Sequence, residues 1–555
     1  MPPDSVAGVL FSRPVSGFRV GQLSQFGILA LGASILWLVF AHNVNWDEFY
    51  FLSLVHDFAA GRLERPLQTF HVHLFQWLLA LPGHEMTQII AGRLFMLACL
   101  LVTALSIFSM SRSLAGRDAA LVAVLGFVSS GFVVGHGASF RADPLAAALL
   151  MVILTLVMTS RMRPIHMLAV ALLVALACLV TIKSALYLPA FLGALLWRID
   201  ERALCLRTLA AGVAAIAFAG VGYLLHASGL AVADGKDGVS HAVNAVNTTL
   251  LSEGFMPRRG VVTMWLALTV APLVIALAGL LCTQGARRRV ALVLMLAPVL
   301  SILVYRNAFP YFFPFIVPPL MVVVALGVVH LRAAVRAAMV LLMLVGGGLQ
   351  VALSAQEPNS AQREVIAELH RMFPEPVPYF QRSGMISSFP RQGPFMSSWG
   401  MKTYRRAGVP IYAQILRRDA PPLLIASNPV FLAALTDEKD LTGCCPLLPE
   451  DADALRGAYV HYSGPVWLLG QETRLSDGAA AIDILRAGDY RLQSDHPVRI
   501  DGRVIAPGQT LNLKAGRHIV SGESDTPLLM IWATKGTDAP APSLPTGLFF
   551  GFWSF

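Results

Sequence analysis

The sequence predicts a polytopic α-helical membrane protein with a soluble C-terminal domain. Of its 555 residues, 56% are hydrophobic and only 14% charged, at a mean hydropathy of +0.64, too apolar for a soluble globular chain. Nearly every apolar run able to cross about 30 Å of hydrocarbon, roughly 20 helical residues, lies before Glu357. Beyond Glu357 the texture changes to a helical stretch and then to short alternating segments punctuated by Pro and Gly.

The apolar runs place spans at residues 23–41, 88–110, 117–135, 143–160, 165–181, 184–198, 207–227, 261–282, 290–305, 311–330 and 336–355. That makes about eleven transmembrane helices within a membrane domain of residues 1–356, followed by a soluble domain of residues 357–555. Arg13 and Arg19 precede the first run, which lacks a small-residue cleavage site, so it is expected to stay as a span.

With the N-terminus in the cytoplasm, every inward turn is basic: Arg112 and Arg117; Arg161 and Arg163; Arg198, Arg202 and Arg207; Arg287 to Arg289; Arg332 and Arg336. Charges beyond Glu357 nearly cancel, so the formal +9 belongs to these short loops, where anionic lipid headgroups attract it. Membrane lipids, not nucleic acid, are the expected partners. The expected location is a bacterial inner membrane, with residues 41–88, 135–143, 229–260 and the soluble domain on the extracytoplasmic side.

In the first outer segment, Phe51, Leu54, Val55 and Phe58 recur at helical spacing, as do Leu74, Phe75, Leu78 and Leu79 before Pro82. Two helices lying in the membrane interface fit this pattern. In the tail, a helix is expected over 361–372 and strands over 490–494, 498–500, 504–506, 510–513, 517–520 and 528–533. Asp501-Gly502 reads as a tight hairpin turn. The tail thus reads as a mixed α/β domain ending in a β-rich, sandwich-like module.

Six cysteines make no disulfide framework: Cys99, Cys178 and Cys282 fall in or beside apolar runs, Cys205 lies in a basic loop, and adjacent Cys444 and Cys445 bridge each other only with strain.

The sharpest local signal is Asn45-Trp46-Asp47-Glu48-Phe49-Tyr50, directly after the first span. Two acids at that depth are costly unless they are used. Asn45 and Glu48 also occupy the positions of a capping box, which accounts for Glu48 without chemistry but leaves Asp47 with no cap position. A second cluster runs from Gly135 through His136, Arg141 and Asp143 to Pro144. Here Asp143 reads as an N-cap before a proline at the first helical position, or as part of a site. Arg141 is placed to pair with Asp143 or to bind a phosphate.

Lys183 reaches the same face at the next outer turn, to serve a site or merely to snorkel. Arg258, Arg259 and Arg306 add cations whose planar forks suit phosphate oxygens, although each one alone also suits a phospholipid headgroup. His71 and His73 raise a divalent metal site, but a spacing of two puts them on opposite faces of a helix and needs an extended segment to converge. No Gly-rich nucleotide loop and no Ser/His/Asp pattern stands out.

An acidic pair in a long first outer loop, an outer Arg-x-Asp-Pro element at Arg141 to Pro144, an outer lysine at Lys183 and a soluble tail together resemble the GT-C superfamily of membrane glycosyltransferases. Its relatives include protein O-mannosyltransferases and the lipid A aminoarabinose transferase. The resemblance covers roughly the first 350 residues in layout, with its motifs confined to Asp47-Glu48, Arg141 to Pro144 and Lys183.

It implies a sugar donor on a polyprenyl phosphate, inverting transfer, and an envelope glycan, glycolipid or protein as acceptor. In that scheme Asp47 is the general base, Asp143 and Glu48 support it, and Lys183, Arg306 and Arg258 or Arg259 steady the departing phosphate. Trp46, Tyr50 and Tyr311 line the sugar pocket, although interfacial belts use the same residue types. The rival classes are a lipid or solute transporter, which places charges near the midplane on broken helices in repeated halves, and a non-catalytic glycolipid-binding envelope protein.

Overall fold

The computed structural model describes residues 20–230, 254–394, 396–436, 446–475, 478–523, 526–535 and 542–549; Arg13, Arg19, Cys444 and Cys445 lie outside them. The protein is a polytopic α-helical membrane protein with a C-terminal mixed α/β, β-rich domain. Five of the described helices are long and apolar enough to cross a bilayer: Val20–Ala41, Glu85–Ala115, Ala142–Thr159, Arg202–Ser228 and Ala333–Ser354. Their outward faces are greasy: Leu206, Val213, Ile216 and Leu224 of Arg202–Ser228 are 68–75% exposed, a surface that only lipid covers well.

The expected eleven or so spans are therefore corrected to five, or up to seven if each of two bent helix pairs counts as one span. The apolar runs exist, but breaks within them shorten the helices. Run 117–135 yields Arg117–Val128 and then turns at Phe132, whose φ of 72° is left-handed. Run 261–282 bends by 78° between Arg259–Leu268 and Val270–Cys282, and run 311–330 bends by 58° before Pro318–Val328, where Pro314, Pro318 and Pro319 offer no N–H. Pro164–Val180 is 17 residues long, Ala286–Leu300 is 15, and run 184–198 is a 3-10 turn, Ile182–Tyr187, leading into Leu188–Trp197.

Backbone freed at such breaks needs a partner inside a bilayer. The N–H of Phe132 donates to Gln350 Oε1 (2.8 Å) and that of Gly131 to Thr269 Oγ1 (2.9 Å).

The basic turns gather at one end of the bundle. There Arg198 donates to the Ser160 carbonyl (2.6 Å), Arg287 pairs with Asp200 (2.6 Å), and Arg207 reaches the Arg161 carbonyl. Ala142–Thr159, about 27 Å long at 1.5 Å per residue, runs from that end to the one that bears Asp143.

At the second end, Trp46–Ala59 forms as expected, followed by Val72–Phe75 and a 3-10 turn, Gln76–Ala80. The soluble domain docks here through Ser360–Met372, whose Gln362 brackets Val44: its Oε1 accepts from the Val44 N–H and its Nε2 donates to the Val44 carbonyl, both at 2.8 Å. One apolar core continues across the junction, from Phe49, Leu52 and Phe75 to Val365, Tyr379, Leu423 and Val466.

The soluble domain is built on an eight-stranded sheet in the order Thr510–Leu513, Gly488–Gln493, Leu528–Trp532, Val466–Thr473, Leu423–Ile425, Tyr379–Phe380, Arg391–Gln392, with Tyr459–Ser463 also pairing to Val466–Thr473. Its last three short strands are parallel. A four-stranded sheet, Ala479–Ile484, Gly516–Ser521, Val498–Ile500 and Arg503–Ile505, shares a core with it through Ile482, Val498, Tyr490 and Met530, which gives the expected sandwich-like module. The hairpin at Asp501-Gly502 forms as expected, with φ of 49° and 82° at the two turn residues and Ile500 opposite Arg503.

Candidate functional site

Local sequence fixes the first turn of Trp46–Ala59. Asn45 caps it, its Oδ1 accepting from the Asp47 N–H (2.8 Å), and Glu48 closes the box by accepting from the Asn45 N–H (3.1 Å). Glu48 does more than cap. It is 1% exposed and accepts from both Arg93 Nη2 (2.6 Å) and Nε (2.8 Å) and from the Phe140 N–H (2.7 Å).

Burial works against charge on Glu48, but the Arg93 guanidinium and these N–H groups win and hold its carboxyl below the ordinary glutamate range. Arg93 completes the lock by donating to the carbonyls of His42 (2.9 Å) and Asn43 (2.8 Å). With its oxygens filled, Glu48 fastens Trp46–Ala59 to Glu85–Ala115.

Successive helical positions diverge by about 100°, so Asp47 points elsewhere. Its Oδ2 is paired with Arg141, while no described residue hydrogen-bonds its Oδ1. The Arg141 guanidinium lies over the Tyr311 ring, 3.5 Å from the centroid, and also reaches Asp143 Oδ2 at 3.5 Å. The other Asp143 oxygen pairs with Lys183, whose ammonium sits 5.8 Å from the Phe312 ring and 6.0 Å from that of Phe315. Lys183, Asp143, Arg141 and Asp47 therefore form one chain of alternating charge.

The expected cap role of Asp143 is corrected. Arg141 occupies the cap position of Ala142–Thr159, and Asp143 lies inside the first turn. Pro144 is tolerated there because a first-turn N–H has no intrahelical partner to lose. The Asp143 carboxylate is thereby free to pair with the two cations.

Two of the remaining cations, Arg258 and Arg306, lie at segment 305–315. Arg258 lies over the Phe309 ring at 4.4 Å, and Tyr305, stacked on Phe312 at 4.5 Å, is within electrostatic reach of Asp143, Arg141 and Arg306. Arg306 is half-buried and makes no ion pair among the described residues; Arg259 is exposed at the start of Arg259–Leu268. Trp46 carries the Arg382 guanidinium 3.8 Å from its ring centroid, and Tyr50 lies 6.0 Å from that of Arg391.

The two candidate histidines do not converge. His71 is fully buried, stacked on Phe51 at 3.5 Å, and bonded to the Phe51 carbonyl (3.1 Å); burial pushes its imidazole down to about 3. His73 instead shares a hydrogen bond with His226 (2.9 Å). Among the described residues, no three His, Cys, Asp or Glu side chains are placed to hold a metal ion.

Sequence reasoning misses Arg93, Arg382 and Glu85. Arg93 left a signal, since a charge inside an apolar run asks for a buried partner. Glu85 and Arg382 left none, because their partners arrive from distant parts of the chain. Glu85 accepts from Ser388 N (3.0 Å), Ser388 Oγ (2.6 Å) and His370 Nε2 (2.8 Å).

No protein-family model matches the chain, and no curated protein matches it. Solved structures share its fold. ArnT from Cupriavidus metallidurans bound to undecaprenyl phosphate aligns with a TM-score of 0.54 and 14% identity, over 74% of this chain and 94% of that one. The Archaeoglobus fulgidus oligosaccharyltransferase in its apo form aligns with a TM-score of 0.50 and 10% identity, over 88% and 76%. The oligosaccharyltransferase AglB from the same organism, in complex with an inhibitory peptide and a dolichol-phosphate, aligns at 0.50 and 9%, over 94% and 98%. The chain thus shares the fold of these structures.

Proposed function

We propose that the chain is an inverting glycosyltransferase that moves a sugar from a polyprenyl-phosphate donor to an envelope acceptor at the extracytoplasmic face of a bacterial inner membrane. Residues 1–356 supply the catalytic domain and residues 357–555 a soluble domain on that same side. The observation that carries this reading is the position of Asp47. On a GT-C-like fold it ends a partly buried charge chain, with one carboxylate oxygen held by Arg141 and the other hydrogen-bonded by no described residue.

In the reaction, an acceptor hydroxyl attacks the anomeric carbon. The bond from that carbon to the phosphate oxygen breaks, and the hydroxyl proton passes to Asp47 Oδ1. Arg141 orients the carboxylate, and Asp143 orients Arg141 and Lys183. Lys183, Arg306 and Arg258, gathered around the aromatic segment 305–315, stabilise the charge that develops on the departing polyprenyl phosphate. Glu48 positions the helix and takes no proton. Two structures of the same fold, one bound to undecaprenyl phosphate and one in complex with a dolichol-phosphate, favour a lipid phosphate as the donor carrier.

The test is transfer of radiolabel from a polyprenyl-phosphate sugar to an envelope fraction by the purified protein. A new glycosidic bond supports the reading. Label that crosses a vesicle membrane unchanged, or that merely stays bound, overturns it.

A further inference from the structure

The loop at 381–390 departs from ordinary loop behaviour. Loops run over protein surfaces because buried backbone needs partners, yet residues 381–387 and 389 are all buried at the seam between the two domains. Gln381 resolves the conflict. Its Oε1, in a side chain 1% exposed, accepts from the N–H groups of Ser383 (2.7 Å), Gly384 (2.6 Å) and Met385 (3.1 Å), and its Nε2 donates to Ser427 Oγ (2.8 Å). One amide thus fills a nest of three successive donors of the kind that elsewhere takes an anion. The Tyr379 hydroxyl closes the base of the loop, donating to the Ile386 carbonyl (2.9 Å) and accepting from the Ile386 N–H (3.1 Å).

What the loop touches is one stripe of Trp46–Ala59. Arg382 lies on the Trp46 ring at 3.8 Å, and Ser387 Oγ donates to the Phe49 carbonyl (3.2 Å). Gly384, at φ +82°, sits so close that a Cβ there would lie 2.9 Å from Ser53 Cβ. Ser388 secures the far side of the loop to Glu85. Residues 46, 49, 50 and 53 share a face at helical spacing, and Asp47 follows it by one position.

We propose that loop 381–390 is a positioning element of the transfer site and that Gln381 is the positioning residue that shapes it, fixing the rotation of Trp46–Ala59 and with it the direction of Asp47. The inference rests on Asp47 being the base. A side-chain tip lies about 5–6 Å from a helix axis, so a rotation of about 10° moves it about 1 Å. A displacement of that size costs up to about 10²-fold in rate. Through this loop the soluble domain acts on the chemistry by holding the helix that carries Asp47.

The test compares Gln381→Leu with Gln381→Glu in the full-length chain, by transfer kinetics and by hydrogen exchange of the amides in 46–53. Gln381→Leu empties the nest. Its kcat should fall about tenfold or more with the donor KM within about twofold, and exchange in 46–53 should quicken. Gln381→Glu presents a carboxylate oxygen to the same three N–H groups and should restore both. Wild-type kcat and exchange in Gln381→Leu, or equal losses in the two variants, overturn the proposal.

If Gln381→Leu does not fold, Ser387→Ala removes the hydroxyl that the Phe49 and Gly384 carbonyls share and leaves the Gln381 nest in place. A lowered kcat at an unchanged melting point then supports the proposal, and an unchanged kcat overturns it. Should the wild-type protein transfer no sugar at all, the proposed function fails, while the exchange comparison still decides whether Gln381 holds the helix.

Discussion

Arg141 and Asp47 lie 94 positions apart in the chain and meet as an ion pair, with the guanidinium 3.5 Å over the Tyr311 ring centroid. A planar fork is needed to face two carboxylates while stacking on an aromatic ring. Arg141→Lys keeps the charge and loses that geometry. Turnover should fall by about tenfold, equivalent to about 1.4 kcal/mol of transition-state stabilisation, with an unchanged melting curve. Full activity in this variant would mean that the orientation of Asp47 does not depend on the fork.

The Glu48–Arg93 pair is the structural counterpart, since both side chains are nearly inaccessible, at 1% and 4%. Removing one charge strands the other in an apolar setting, which typically costs about 3–5 kcal/mol. Glu48→Gln should lower the melting temperature markedly. The double replacement Glu48→Gln/Arg93→Met should recover part of the loss, because no buried charge is then left alone. Thermal unfolding in detergent measures both.

His71 makes the fold sensitive to acid. Its imidazole is held at about 3 by burial, against an ordinary 6.5. The folded value lies below the unfolded one, so between pH 6.5 and about 3 the unfolded chain binds a proton that the folded chain does not. Stability from neutral His71 is complete above 6.5 and is lost as the pH falls through that window. His71→Phe keeps a ring stacked on Phe51. Its melting temperature should drop less than that of the wild type between about pH 7.5 and about pH 5. Parallel pH curves for the two proteins would show that His71 does not carry the effect.

Much of this was legible in the sequence, for local reasons. The capping box at Asn45 and Glu48, the helix carrying Phe51 and Val55, and the hairpin at Asp501-Gly502 depend on neighbours a few residues away. What depends on distance was not legible. Arg93 closing on Glu48, Gln362 bracketing Val44 and Arg382 lying on Trp46 each join segments far apart, and no spacing announces them. The span count differs because hydropathy registers an apolar run but not where the helix within it stops, as after Val128 and Leu300. For Asp143 the sequence leaves a cap and a site residue both open, with Pro144 favouring the cap, and only the fold shows its carboxylate facing Lys183 and Arg141.

Lys183 and Arg306 border the same aromatic segment, and we expect both to act on the donor phosphate. Lys183→Met and Arg306→Gln should each raise the donor KM about tenfold, with the double variant worse than either. A donor titration with purified lipid-linked sugar measures this. An unchanged KM in both single variants would place the phosphate elsewhere.

The most direct test of the central assignment is the turnover of Asp47→Asn beside that of Asp143→Asn, with purified donor and a melting curve for each. Asp47→Asn keeps the shape and removes proton acceptance, so turnover should fall by about 10²-fold or more with folding intact. Asp143→Asn weakens the hold on Lys183 and Arg141 without removing a base, so its loss should be smaller and should appear partly in donor KM. Near-normal turnover in Asp47→Asn, with a collapse in Asp143→Asn at unchanged stability, would contradict the assignment of Asp47 as the base.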